Sequence, residues 1–493
     1  MLFRFIIHHS VSLFVMSNQP STDDKPATQS VTRRRVVQAA GIAGMASIAG
    51  CYGEGESDAI VISGNQNLKQ NLDIQAFYDA GVSEDIDIEI TAGPEDTDSR
   101  SEAFVSTLDA EQSSPDILMM DNGWTIPFIS RGDILNLEAE MDSEFIATVK
   151  SDSFDMLVRT ASNPASGEMW ALPFFPDYPT MQYRKDLFRD AGYTDSDFNE
   201  WATDPPSWES WSATVAEVHD QADVDYGYVW QADSYAGLSC CSFNELMSTY
   251  GGAYFGGPDN LFGPVGDRPV TVENEAVIES ITVARDMVYG NGESNQDITQ
   301  CAPEEVFGWS EPDTDGAFVG DSNAVAMRNW TYTIGMAEGD EQFTDGEELG
   351  VMPMPYGRAE SEVDTDGLGG TVAAQGGWLL GVNPHTNNLA DTLEVLQAVH
   401  SEEVQAAVLD GPGFLPHQPD LVEGLAGDHP AFGEYSETLA VAGDNAVSRP
   451  VTPVWPQQSQ QVHQEVNDAF QGNKTPTEAM SDLSASMADL ETL

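Results

Sequence analysis

Three short apolar stretches near the start of the chain limit its fold more than any other feature. Ala59–Gly64 (AIVISG) and Asp116–Met120 (DILMM) are nearly continuous apolar runs, the length and composition of buried strands. Ile86–Ala92 (IDIEITA) alternates with a period of two, which lines one face of a strand with apolar side chains. Between them, Asn67–Ala80 and Glu102–Glu111 carry helical spacing. Strands interleaved with helices predict α/β layers with largely parallel sheets. Further on, Val277–Tyr289 sets Ile278, Ile281, Ala284 and Val288 on one helical face. Helices are also expected over Leu389–Val399, Glu402–Leu409, Val462–Phe470 and Thr477–Leu490, the last after the start signal Thr475-Pro476. Asp340–Glu348 and Arg358–Gly370 read as exposed insertions. A length of 493 residues suits two or three domain-sized units.

The charge narrows the setting. There are 82 Asp and Glu against 19 Lys and Arg, a formal net charge of −63. Lysine occurs only at Lys25, Lys69, Lys150, Lys185 and Lys474. The acid is spread along the whole chain, whereas a nucleic-acid mimic would concentrate it. With 41% hydrophobic and 9% aromatic residues the chain can build cores, so disorder is not the reading. At about 1 M ionic strength the Debye length is ~3 Å and the self-repulsion is screened. The pattern is that of a surface adapted to molar salt in an extreme halophile. Nucleic acid is excluded as a partner, because phosphates are repelled.

Residues 32–51 read TRRRVVQAAGIAGMASIAGC. Arg33 and Arg34 precede a small-residue apolar run too short to span a bilayer. The segment looks like a twin-arginine signal closed by a lipobox, which implies that residues 1–50 are removed and that Cys51 becomes the lipid-bearing N-terminus. Residues 51–58 then serve as the tether. Residues 1–15 are oddly placed upstream of such a signal, and Met16 is expected to be the true start. Cys240, Cys241 and Cys301 match no zinc spacing. In an extracellular setting a disulfide from Cys301 to Cys240 or Cys241 is expected. Such a bond would close a loop of about 60 residues, on the order of 4 kcal/mol in the chain-entropy model.

Six segments carry a family resemblance. The first runs from Pro115 to Trp124 (PDILMMDNGW), with Phe128 and Gly132–Leu137 (GDILNL). The second is Leu172–Tyr178 (LPFFPDY), then Gln182–Phe188 (QYRKDLF) and Ala191-Gly192. The third is Val229–Leu238 (VWQADSYAGL), the fourth Ala326–Tyr332 (AMRNWTY) and the fifth Gln375–Trp378 (QGGW). The last is Ser448–Val451 (SRPV) with Pro453 and Trp455. In this order, over nearly all of 59–493, they resemble the extracellular solute-binding proteins of ABC-type sugar importers, the trehalose/maltose-binding group especially.

The resemblance implies a two-lobed periplasmic-binding-protein-like α/β fold, with hinge crossovers and a ligand cleft. It assigns 59–177 and about 328–385 to the N-terminal lobe, and about 178–327 and 386–493 to the C-terminal lobe. The partners implied are a small-molecule sugar (trehalose-, maltose- or glucose-like), the permease subunits, and the membrane through the lipid anchor. The protein is expected to be a monomer, without cofactor or metal, on the extracellular face of the cytoplasmic membrane. A sugar offers apolar C–H faces and a rim of hydroxyls, so flat aromatics and hydrogen-bonding Asp, Asn or Arg suit it. Matched by position, the candidate ligand-binding residues are Asp121, Trp124, Asp177, Tyr178, Asp233, Trp330, Gly377, Trp378 and Arg449. Each has a plainer reading. The acids can be solvated ends of strands, the tryptophans core packing, and Arg449 an ion-pair partner between lobes. Arg328 reads as structural.

Two half-matches to a calcium loop, Glu311–Gly316 and Glu362–Gly367, lack the acid at the twelfth position, where Ser322 and Ala373 stand. Of the sequons Asn329-Trp330-Thr331 and Asn473-Lys474-Thr475, only Asn473 is expected to accept a glycan. A secreted glycoside hydrolase, using two carboxylates such as Asp121 and Asp177, is the rival class, and a polyol- or peptide-binding protein is the nearer alternative.

Overall fold

The computed structural model describes residues 59–94, 97–338, 348–427 and 429–492. The expected signal, lipobox, Cys51 and tether lie outside the described residues, as does nearly all of the expected insertion at 340–348. Among the described residues, no helix is long and apolar enough to cross a membrane.

Among the described residues, ten strands form two sheets. They are β1 (Ile60–Gly64), β2 (Ile88–Ala92), β3 (Ile117–Asp121), β4 (Ala171–Asp177), β5 (Pro179–Arg184), β6 (Tyr226–Val229), β7 (Ala324–Trp330), β8 (Leu349–Met352), β9 (Ala373–Val382) and β10 (Ala446–Ser448). In the first sheet β1 lies between β2 and β3, parallel to both. β3 and β4 pair antiparallel with β9, and β10 runs parallel beside its start. The second sheet has the order β6-β7-β5-β8, with only β6 and β7 parallel. Both sheets are therefore mixed, not largely parallel as the strand–helix alternation suggests. Parallel pairing follows helical crossovers, but β5 and β9 are reached by passages between the sheets. Tyr178 alone separates the end of β4 in the first sheet from the start of β5 in the second.

Each sheet has its own apolar core. Ile62, Met119, Leu379 and Phe175 belong to the first, and Tyr183, Trp211, Phe243 and Phe318 to the second. This is the two-lobed α/β architecture. The chain divides between the lobes differently from the expected segments. β7 and β8 lie in the second sheet. The helices Leu389–Ala398 and Glu402–Asp410 bury Val395, Leu396, Val404 and Val408 in the first core, and the chain turns to the second core from Leu409 and Leu415 onward, with Phe432, Leu439 and Val466. An amphipathic face states that a helix covers a sheet, not which one.

Local signals place several helix ends. The helix Pro476–Leu490 opens on a capping box, in which Thr475 and Glu478 exchange side-chain and backbone hydrogen bonds. The helix expected over 67–80 is two, Gln66–Asn71 and Gln75–Asp79. Asp73 between them accepts a hydrogen bond from the Gln75 amide and breaks the helical ladder.

Candidate ligand-binding site

The segment Gln375–Trp378 of β9 is the backbone of the site, because it lies against the ends of strands from both lobes. Trp378 pairs with Asp121 at the end of β3, and Gly376 pairs with Asp177 at the end of β4. Both glycines permit close approaches. A Cβ on Gly376 would stand 3.0 Å from the Trp330 ring. Gly377 has a φ of +132°, and a Cβ there would lie 2.7 Å from the Leu157 side chain and 3.1 Å from the Phe175 carbonyl. Only glycine adopts that backbone without strain. The Gly377 carbonyl accepts a 3.0 Å hydrogen bond from the Asn122 amide.

On the first-lobe side, Asp121 is held by its neighbours. Arg449 donates through Nη1 and Nη2 at 2.7 and 3.2 Å, and the Gly123 amide donates at 2.8 Å. The two-pronged contact is the strong form of such a pair. Arg449 Nε is buried without a partner. Next to this pair, Trp124 meets Trp378 edge to face at 5.8 Å, and the Arg100 guanidinium lies 5.2 Å from the Trp378 ring centre. Trp124 and Trp378 are both half-buried.

On the second-lobe side, Trp330 ends β7 opposite Pro179. Its Nε1 donates to Glu311 at 3.3 Å, and Glu311 also accepts from the Tyr235 hydroxyl at 2.9 Å. The Arg328 guanidinium lies 4.6 Å from the Trp330 ring centre and is itself buried in an ion pair with Glu245. Asp177 accepts from the Thr331 hydroxyl at 3.0 Å and the Thr331 amide at 3.3 Å. Asp315 accepts from Asn329 at 2.5 Å and from the Tyr332 hydroxyl at 2.9 Å. Burial pushes the Asp177 and Asp315 carboxyls up to about 7 against these hydrogen bonds, with the Glu311 charge adding to both.

The structure thus gathers Asp177, Trp330 and Gly377 at the meeting of the lobes, with Asp121, Trp124, Trp378 and Arg449 beside them. Tyr178 packs instead into the second core, with its ring against Gly443. Asp233 accepts from the Ser234 amide, and Ser234 meets His463 at 3.0 Å. Its neighbour Tyr235 carries the bond to Glu311. Sequence reading missed Tyr235, Glu311, Asp315 and Tyr332 as part of this group. Tyr235 and Tyr332 fall inside the segments that carry the resemblance, and Glu311 and Asp315 inside one half-match to a calcium loop. Among the described residues, no three His, Cys, Asp or Glu side chains are grouped to hold a metal ion.

The cysteines differ from expectation. Cys240 is bonded to Cys241, and Cys301 is a free, buried thiol. Cys301 lies instead beside the Tyr228 and Met287 backbones, where its own amide and carbonyl are hydrogen-bonded. Its thiol is pushed up to about 12 by burial.

Residues 83–406 match the model of the bacterial extracellular solute-binding protein family. The chain belongs to that family. A probable ABC transporter-binding protein of Deinococcus radiodurans is 25% identical to this solute-binding protein over 394 residues, 78% of this chain and 80% of the relative. Among solved structures, maltose-bound MalE3 of T. maritima superposes with a TM-score of 0.70 at 23% identity, over 88% of this chain and 99% of its own. A Thermotoga lettingae ABC transporter solute-binding protein bound to α-D-tagatose gives 0.68 at 18%, over 88% and 100%. The GacH receptor of Streptomyces glaucescens, solved unliganded and with acarbose, gives 0.67 at 20%, over 89% and 99%. These likenesses establish the two-lobed fold of this solute-binding protein.

Proposed function

We propose that this solute-binding protein captures a neutral mono- or disaccharide and delivers it to the permease of an ABC-type importer. It acts without catalysis, as a monomer anchored by lipid on Cys51 to the outer face of the membrane, after twin-arginine export, in a high-salt habitat. The observation that carries the sugar reading is Trp330. A large flat ring is held at the junction of the lobes by Glu311, Arg328 and Gly376, with the carboxyls of Asp177 and Asp315 on adjacent residues' side chains. Rings suit C–H faces, and carboxyls suit hydroxyls. The maltose, α-D-tagatose and acarbose bound by the structural relatives support the same class.

The test is a titration in molar KCl with maltose, trehalose, glucose and tagatose, alongside a sugar phosphate, sulfate, a polyol and a short peptide. Saturable binding of at least one neutral sugar is expected. Preference for an anion, a polyol or a peptide over every neutral sugar overturns the proposal. Release of monosaccharide from a bound disaccharide overturns the exclusion of catalysis.

A further inference from the structure

The Cys240–Cys241 disulfide closes no loop, since the two residues are adjacent in sequence. Disulfides stabilise folds chiefly by restricting long loops in the unfolded chain, so this bond has no such role. Its effect is local: it locks one turn and replaces two thiols, weak donors with rotational freedom, by a rigid apolar group. The turn is Leu238–Ser242, a wide π-type turn leading into the helix Phe243–Thr249. Insertions of this kind recur at functional sites.

Its surroundings are specific. Cys240, Cys241, Trp330 and Ala374 form a small apolar cluster that belongs to neither of the two large cores, and Tyr332 packs against it. Trp330 ends β7 in the second sheet, and Ala374 lies on β9 in the first. The disulfide therefore sits at the junction of the lobes, against the candidate sugar platform. Both flanks of its turn are tied to that platform. Before it, Tyr235 donates to Glu311, which accepts from Trp330 Nε1. After it, Glu245 accepts from Arg328 and, at 3.3 Å, from the Ala374 amide.

We propose that the Cys240–Cys241 disulfide is a positioning element of the ligand site, holding the Trp330 ring in its binding orientation so that sugar affinity depends on the oxidised bond. The inference rests on the sugar-binding reading of Trp330. A reduced turn regains rotamer freedom, which must be lost again on binding.

A water-soluble phosphine tests it on the full chain in molar KCl. The phosphine cleaves the S–S bond and is oxidised to the phosphine oxide with oxygen from water, whose two hydrogens go to the two sulfurs. Peptide mass mapping confirms the two thiols, and Cys240→Ser/Cys241→Ser supplies the comparison for any fraction the phosphine does not reach. Maltose, trehalose and glucose are titrated against each form. Affinity for the sugars that bind is expected to fall roughly three- to tenfold in the reduced protein. Tryptophan emission is also expected to rise on reduction, because a disulfide in contact quenches an indole, and the rise should vanish in Trp330→Phe. Unchanged affinity after mapped reduction, with or without a change in melting temperature, overturns the inference alone. An emission rise that persists in Trp330→Phe overturns the contact on which it depends. An oxidised protein that binds none of the three sugars defeats the inference together with the sugar reading for that panel.

Discussion

The indole of Trp330 is fixed before any ligand arrives, by Glu311 at its nitrogen, Arg328 over its ring and the missing side chain of Gly376 at its edge. It is 8% exposed yet lies outside both large cores. Trp330→Ala is therefore expected to weaken sugar binding by roughly 1–3 kcal/mol, the scale of one buried aromatic face. Unliganded stability should fall by less than the roughly 3–5 kcal/mol typical of a core Trp→Ala. Titration and thermal unfolding of the same variant separate the two; loss of folding with normal binding by the folded fraction would make Trp330 a core residue. Asp315 makes a second prediction. Its folded pKa of about 7 lies above its ordinary value of 3.8, raised by burial against the Tyr332 hydrogen bond. A carboxyl raised on folding favours the native state below its unfolded pKa, and that contribution disappears as pH rises through the folded value. The melting temperature of the parent minus that of Asp315→Asn should fall between pH 4 and about 7 and flatten above. A difference independent of pH would show that Asp315 ionises normally.

β9 is the element on which both lobes depend. It pairs with β3, β4 and β10 and carries the two glycines that let Trp330 and the Phe175 backbone approach. Gly377→Ala must strain a φ of +132° and displace Leu157. Such a change should cost about 1–3 kcal/mol, read from the midpoint of urea unfolding. A midpoint equal to the parent's would mean that the backbone relaxes there at no cost. The Arg328–Glu245 pair next to it is buried on both sides, which agrees with the structural reading of Arg328. Breaking such a pair costs more than a surface pair contributes, because the remaining charge is stranded.

Across the molecule, a charge of −63 on 493 residues is self-repulsive unless salt screens it. The described ion pairs relieve little of it. Arg131–Asp133, Lys150–Glu138 and Lys474–Asp482 are partly exposed, where such pairs contribute little. The melting temperature should therefore rise from millimolar to molar KCl, and a flat dependence would refute the high-salt reading. Two cores joined by β4–β5 and β8–β9 are also the arrangement in which hinge closure around a ligand is expected.

Periodicity and short motifs carried the α/β class, the strands β1 to β3 and most of the long helices. Each of these depends on neighbours within a few residues along the chain. Strand direction and the lobe that claims the helices at 389–410 depend on contacts between residues far apart in sequence. No spacing rule points to a bond between Cys240 and Cys241, and none pairs Asp121 with Arg449 or brings Glu311 to Trp330. The pairing of Asp121 with Arg449 exists because the chain returns to the first sheet after building the second, and that return sets side by side residues that local pattern treats as unrelated.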